Sequence, residues 1–180
     1  MKRNNQLGFT MIELIVVIVI LGVLAAIALP RFTNIQRDAR IAKLNAARGA
    51  VAAATALVHG TSMARQNQVQ PACAATGTVP NIAITGTGTL CTENGVVNVT
   101  LLYPAPTLAG VVATAGVVPS AGAPTNAQLN VEGYNTVAGA GTIQVQVQGG
   151  AAAATCEFDY TAPAVLGAAP TISAVTTTGC

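Results

Sequence analysis

Residues 8–29 read GFTMIELIVVIVILGVLAAIAL, and from Phe9 to Leu29 the run holds 21 residues with a single charge, Glu13. At about 1.5 Å of rise per residue, a helix of that length covers ~31 Å, near the ~30 Å hydrocarbon thickness of a bilayer. The segment is therefore predicted to span a membrane as a helix. A carboxylate in such a span costs about 2.5–3.5 kcal/mol at its centre and less near an interface. Glu13 needs a partner. Cutting the chain between Gly8 and Phe9 would free an amine four residues away from it.

Lys2 and Arg3 precede the run, and positive flanks stay on the cytoplasmic side. A secretory signal peptide has the same basic start and apolar block, and Ala26-Ile27-Ala28 would serve as its A-x-A cleavage site. Two features count against it. Glu13 interrupts the start of the apolar block, and the helical pattern continues beyond Leu29, so cleavage there would discard half of one element. A plain membrane anchor is the third reading.

Gly8-Phe9-Thr10-Met11-Ile12-Glu13, after a short basic leader and before a long apolar helix, resembles the processing signature of type IV pilins and pseudopilins. The resemblance implies cleavage after Gly8 by a prepilin peptidase and methylation of the new Phe9 amine. It implies that Glu13 pairs with the Phe9 amine of a neighbouring copy, and that Gly22 and Pro30 are the helix-loosening glycine and proline. It further implies partners (copies of the chain in a helical filament, and an inner-membrane assembly machinery) and a path from single-pass membrane precursor to surface filament. A looser likeness, in RDARIAKLNAARGAVAAATALVHG (37–60) and LLYPAPTLAGVV (101–112), is to the mannose-sensitive haemagglutinin subgroup of type IVa pilins. That likeness implies adhesion or surface attachment.

Pro30 lacks a donor and clashes with the carbonyl four residues back, so a kink is expected there. Residues 31–60 then read as helix to about His59, with Gly60 as C-cap and His59 suited to the negative helix end. Ile35, Ala39, Ala42, Ala46, Ala50, Ala53 and Leu57 form one stripe at three- and four-residue steps, while Leu44, Val51 and Val58 form a second nearly opposite. Two stripes predict burial on two sides, one against the chain's own domain and one against other subunits. Arg37, Asp38, Arg40, Lys43 and Arg48 argue against complete burial within a monomer.

From about residue 67 the composition shifts to Gly, Thr, Pro, Val and Asn. Strands are expected at Asn81–Thr85, Val96–Tyr103, Gln128–Glu132, Thr142–Gln148, Thr155–Tyr160 and Thr171–Thr176. The clearest is Thr142–Gln148, where Ile143, Val145 and Val147 alternate with glutamines. The fold class is therefore α+β: a long kinked N-terminal helix against a C-terminal antiparallel sheet, with disulfides, as in the type IV pilin fold. The expected divisions are a leader over 1–8, a membrane or filament-core helix over 9–29, an amphipathic helix over 30–66 and a β-rich head over 67–180.

Four cysteines in a chain directed out of the cytoplasm point to disulfides. Three connectivities are open. Cys73–Cys91 and Cys156–Cys180 are favoured, because each closes a loop of about 20 residues flanked by turns and stabilises by roughly 3 kcal/mol. The second pair also resembles the disulfide-bounded C-terminal region of type IV pilins, which is exposed on the filament.

Residues 49–180 carry only Arg65, Glu93, Glu132, Glu157 and Asp159 as charged groups, so nucleic acid is not an expected partner. Without residues 1–8 the chain has six basic and six acidic side chains. One histidine, His59, and no C-x-x-C pair leave no zinc site or catalytic set to assign. Glu157 and Asp159 lie two apart on one strand face, but the oxygen-rich surroundings calcium needs are missing. Gly86-Thr87-Gly88 reads as a turn, and Asn98-Val99-Thr100 matches a glycosylation sequon. No cofactor, metal or enzymatic activity is expected. The alternatives to a pilus subunit are a type II secretion pseudopilin and a minor pilin or adhesin of DNA uptake.

Overall fold

The computed structural model describes residues 9–66, 68, 70–74, 77–82, 84–120 and 122–180, apart from the side chain of Thr33. The expected leader, with Lys2, Arg3 and Gly8, lies outside the described residues. The chain divides into two compact units, Met1–Asp38 and Ala39–Cys180. Helix α1 runs Met11–Arg65 and holds Pro30 in its interior.

In the second unit, Leu44, Ala47, Val51, Ala54 and Val58 are buried, while Ala42, Ala46, Gly49, Ala53 and Leu57 are exposed. The buried set recurs at three- and four-residue steps, the spacing of one helix face. The helix does not stop at His59 with Gly60 as its cap, as the sequence suggested. It continues to Arg65 because the next turn is still held: Thr61 donates to the Leu57 and Val58 carbonyls at 2.9 and 3.0 Å, and Ser62 is fully buried. The real end is closed by glutamines. Gln68 Nε2 donates to Ala64 O at 3.2 Å and Gln70 Nε2 to Arg65 O at 2.9 Å. His59 stacks on Tyr103 instead, with centroids 3.9 Å apart and planes within 3°.

Two antiparallel sheets follow where one was expected. The first orders β1 (Thr87–Thr92), β2 (Gly95–Thr100) and β3 (Tyr103–Pro104) side by side. The β2–β3 turn sets both Leu101 and Leu102 at positive φ, 51° and 70°, the geometry a two-residue hairpin needs. That turn splits the expected Val96–Tyr103 strand. A π-helical turn, Leu108–Val112, runs on into α2 (Ala113–Ala115). After α3 (Asn126–Val131), the second sheet orders β4 (Tyr134–Ala138), β5 (Thr142–Val147), β6 (Glu157–Thr161) and β7 (Thr171–Ile172).

Several expected strands are corrected. Asn81–Thr85 is not a strand among its described residues; Gly86, at φ 90°, ends that stretch and β1 begins at Thr87. Asn81 instead flanks β1, accepting from Thr89 N at 2.7 Å. Gln128–Glu132 falls mostly in helix α3, because Thr125 and Gln128 form a reciprocal capping box that starts a helix. Residues 153–155 form a 3₁₀ turn, so β6 starts only at Glu157. Beyond Ile172 the expected Thr171–Thr176 strand survives as a single bridge, Glu157 to Thr176.

One hydrophobic cluster joins Leu44, Ala47 and Val51 of α1 to the inner faces of β5 and β6. A second joins Val58 to Leu90, Val97, Val99 and Ala113 of the first sheet and α2. Tyr160 and Phe158 are the largest fully buried side chains, so aromatics hold more of the core than their number suggested. Tyr160 reaches across to the first sheet, donating its hydroxyl to Pro104 O at 2.7 Å. Burial raises the pKa of Tyr160 far above its ordinary value, and burial and then the Glu132 charge raise that of Tyr134.

Two predictions follow from this core. The Ser62 hydroxyl is buried without a hydrogen-bond partner among the described residues. Ser62→Ala removes a desolvated polar group at little cost in volume, so the urea midpoint in detergent should stay level or rise, by up to about 1 kcal/mol of stability. A tyrosine in the unfolded chain ionises near pH 10, whereas buried Tyr160 keeps its proton to higher pH. The unfolded state therefore binds fewer protons above about pH 10, and stability should fall as pH rises past that point. Denaturation midpoints measured from about pH 8 to 11 check this, with tyrosinate absorbance appearing together with unfolding.

Candidate assembly site

The first unit carries the charge that the sequence singled out. Thr10 precedes the helix, and its hydroxyl accepts from Glu13 N at 3.3 Å while contacting Glu13 Oε2 at 3.4 Å. This is the backbone half of a T-x-x-E capping box, and it places Glu13 in the first turn of α1. Thr10 was missed in the sequence, although its spacing to Glu13 is the signal. A carboxylate there also suits the positive helix end. Phe9 stands 89% exposed beside it. Gly22 and Pro30 both lie inside the helix, and Pro30 has no N–H to give the Ala26 carbonyl. Among the described residues one helix is long and apolar enough to cross a membrane, and none of its most apolar stretch is buried.

The second unit has a helix face that its own fold leaves uncovered. Ala42, Ala46, Gly49 and Ala53 are exposed, Ala50 is half-buried and Leu57 is 70% exposed. Small side chains on such a face let another helix approach closely. The charges between the two faces are put to use. Arg48 Nε donates to Ser173 O at 2.7 Å, and its guanidinium reaches Ile172 O at 3.5 Å. Arg40 Nε donates to Cys180 O at 2.5 Å. Lys43 donates to Glu132 O and sits 4.3 Å over the Tyr134 ring. These three cations hold the loops of the second sheet to α1.

Disulfides join Cys73 to Cys91 and Cys156 to Cys180, with Cα atoms 5.6 and 4.9 Å apart. Glu157 accepts from Gln146 Nε2 at 3.0 Å, and Asp159 N donates to the Ser173 hydroxyl oxygen at 2.8 Å. Among the described residues no group of three His, Cys, Asp or Glu side chains is placed to hold a metal. Asn98 is exposed on β2.

Residues 3–29 match the family described as the prokaryotic N-terminal methylation motif. The N-terminal segment resembles those of type IV pilins and pseudopilins. Over 50 residues the chain is 50% identical to the type IV narrow pilus major component PilA5 of Thermus thermophilus. Over 54 residues it is 43% identical to the type II secretion system core protein G of Pseudomonas aeruginosa. These matches cover 28% and 30% of the chain and about two fifths of each relative, 43% and 38%. No solved structure matches the chain significantly. The pilin-type likeness therefore rests on the N-terminal segment, and the α+β architecture with its two disulfides is pilin-like in form.

The two faces of α1 should respond oppositely to truncation. Leu44→Ala, in the core, should cost about 2–5 kcal/mol. Leu57→Ala, on the open face, should stay within about 0.5 kcal/mol. Urea denaturation of the full chain in detergent measures both.

Proposed function

We propose that this chain is a structural, non-catalytic subunit of a type IV pilus. In this reading residues 1–8 are a leader removed by a prepilin peptidase between Gly8 and Phe9, and Phe9 is then N-methylated. Residues 9–29 first anchor the subunit in the inner membrane and later form the filament core. Residues 30–66 carry the head, 67–180, on the filament surface. Glu13 pairs with the Phe9 amine of a neighbouring copy and sets axial register. Gly22 and Pro30 let the helix adjust its path in the bundle. Surface attachment by the exposed heads is the filament's role.

The observation that carries this reading is the uncovered apolar surface of α1. A stretch with no buried residues needs lipid or other helices around it, and the small open face over Ala42–Leu57 suits close helix packing. The similarity to core protein G favours a second reading, a periplasmic pseudopilin with the same N-terminal chemistry. The two cysteine pairs and the lack of a carboxylate cluster among the described residues weigh toward the pilus subunit. Mass spectrometry of sheared surface filaments separates them: the pilus reading expects this chain there, beginning at methylated Phe9. Its absence from the surface, together with lost enzyme secretion on gene deletion, would favour the pseudopilin.

Glu13→Ala should leave membrane insertion intact and abolish or greatly reduce filaments, because the Phe9 amine would be buried without a counter-charge. Filament yield from sheared cells, with membrane fractions as control, measures this. Normal filaments from the variant would sink the register role of Glu13.

A further inference from the structure

The charges of this chain are few enough to follow individually. Arg40, Lys43 and Arg48 are engaged with carbonyls of the head. Arg31, Asp38 and Glu93 are exposed, and among the described residues no hydrogen bond or ion pair holds their side chains. Among the described residues the Arg65 guanidinium makes only a long contact, 3.5 Å to Cys91 O.

Arg31, Ile35 and Asp38 occupy positions i, i+4 and i+7 of α1, which one helix face brings into line. The two charges stand about 10.5 Å apart along the axis, with Ile35, 62% exposed, between them. In the second unit a cleft of about 660 Å³ opens between the end of α1 and the β1–β2 hairpin. Arg65 and Glu93 line it, and Ala54, Leu57 and Val58 give it an apolar floor. They are two of the five charged side chains in residues 49–180. The helix face thus offers a cation, an aliphatic side chain and an anion, and the cleft offers an anion, an apolar floor and a cation.

We propose that the Arg31–Ile35–Asp38 face of one copy's helix seats in the Arg65–Glu93 cleft of a second copy. Arg31 pairs with Glu93, Asp38 with Arg65, and Ile35 packs on Leu57. The occupant is a second copy because face and cleft each carry one cation, one anion and exposed apolar side chains, so each charge of one surface finds its opposite on the other. The contact joins different surfaces of the two copies, so it leaves a free face and a free cleft at the ends of any assembly. Such heterologous contacts do not close into a two-fold dimer, and they build an open helical array where the rotation between copies does not close a ring. The inference rests on the filament reading above and adds the surfaces that select neighbours.

The test uses full-length chain in the cell that assembles it, with the unmodified copy deleted. Arg31→Glu and Glu93→Arg should each lower sheared-filament yield at least five-fold at unchanged membrane levels. The double variant Arg31→Glu/Glu93→Arg should return within about two-fold of the unmodified chain. Glu132→Arg, outside the cleft, should have no effect. In filaments of the Arg31→Lys variant, a carbodiimide should condense the new amine with Glu93 of a neighbour, with loss of one water, and peptide mass spectrometry should find that link. Full yield from either single reversal, a double no better than the worse single, or a crosslink only to Glu132 overturns the pairing and leaves the filament reading standing. No filaments from the unmodified chain overturns both.

Discussion

Leu44, Val51 and Val58 stand at seven-residue steps on one face of α1, and the rest of residues 39–180 is arranged to cover that face. The second sheet takes the Leu44–Val51 end through Phe158, Tyr160 and the inner residues of β5. The first sheet takes the Val58 end through Leu90, Val97 and Val99. Neither sheet is large enough to hold a core alone; small sheets need a second layer. Tyr160, donating to Pro104 O, ties the two halves across the helix. Covering one side also defines the other. With the apolar stripe consumed inside, the alanine and glycine side remains open.

Polar contacts decide which loops sit beside the helix. Hydrogen bonds from charged donors to carbonyls contribute roughly 1.5–3 kcal/mol each, about twice a neutral bond. Arg40, Lys43 and Arg48 direct three such donors at carbonyls of Cys180, Glu132 and Ser173, in three separate loops. The Cys156–Cys180 bridge closes the same region covalently. The C-terminal loops are thus tied to the helix by cations and to the sheet by a disulfide, which leaves Val165 and Leu166 exposed in the β6–β7 connection between those ties.

What was legible in the sequence followed from periodicity, and what was not followed from its absence. Alternation in Thr142–Val147 located β5, and the two stripes on α1 anticipated one buried and one open face. β1, reading TGTLCT, has too much glycine and threonine to stand out; its partner β2 supplies the register. Gln128–Glu132 looked like a strand through its leucine and valine, but the Thr125–Gln128 capping box overrode that weak preference and started helix α3. At the N-terminus Glu13 was conspicuous as a charge in an apolar run, whereas the capping role of Thr10 shows only in its three-residue spacing to Glu13. The carbonyl targets of Arg40, Lys43 and Arg48 could not be read at all, since a backbone carbonyl has no residue signature.

On the proposed reading, the apolar half of α1 meets two surroundings in turn, lipid and a helix bundle, and its composition suits both. Lipid tails and packed helices are equally apolar, so moving Phe9–Leu29 from one to the other changes little for Ile, Val and Leu side chains. Only Glu13 distinguishes them. Near the bilayer interface its carboxylate retains water and its contact with Thr10. In a helix bundle water is excluded, and the carboxylate needs a cation at a definite height. On the proposed reading, one ionised group in an otherwise featureless segment would supply the positional information that uniform hydrophobic contact lacks, in the way a single buried polar residue sets register in a coiled coil.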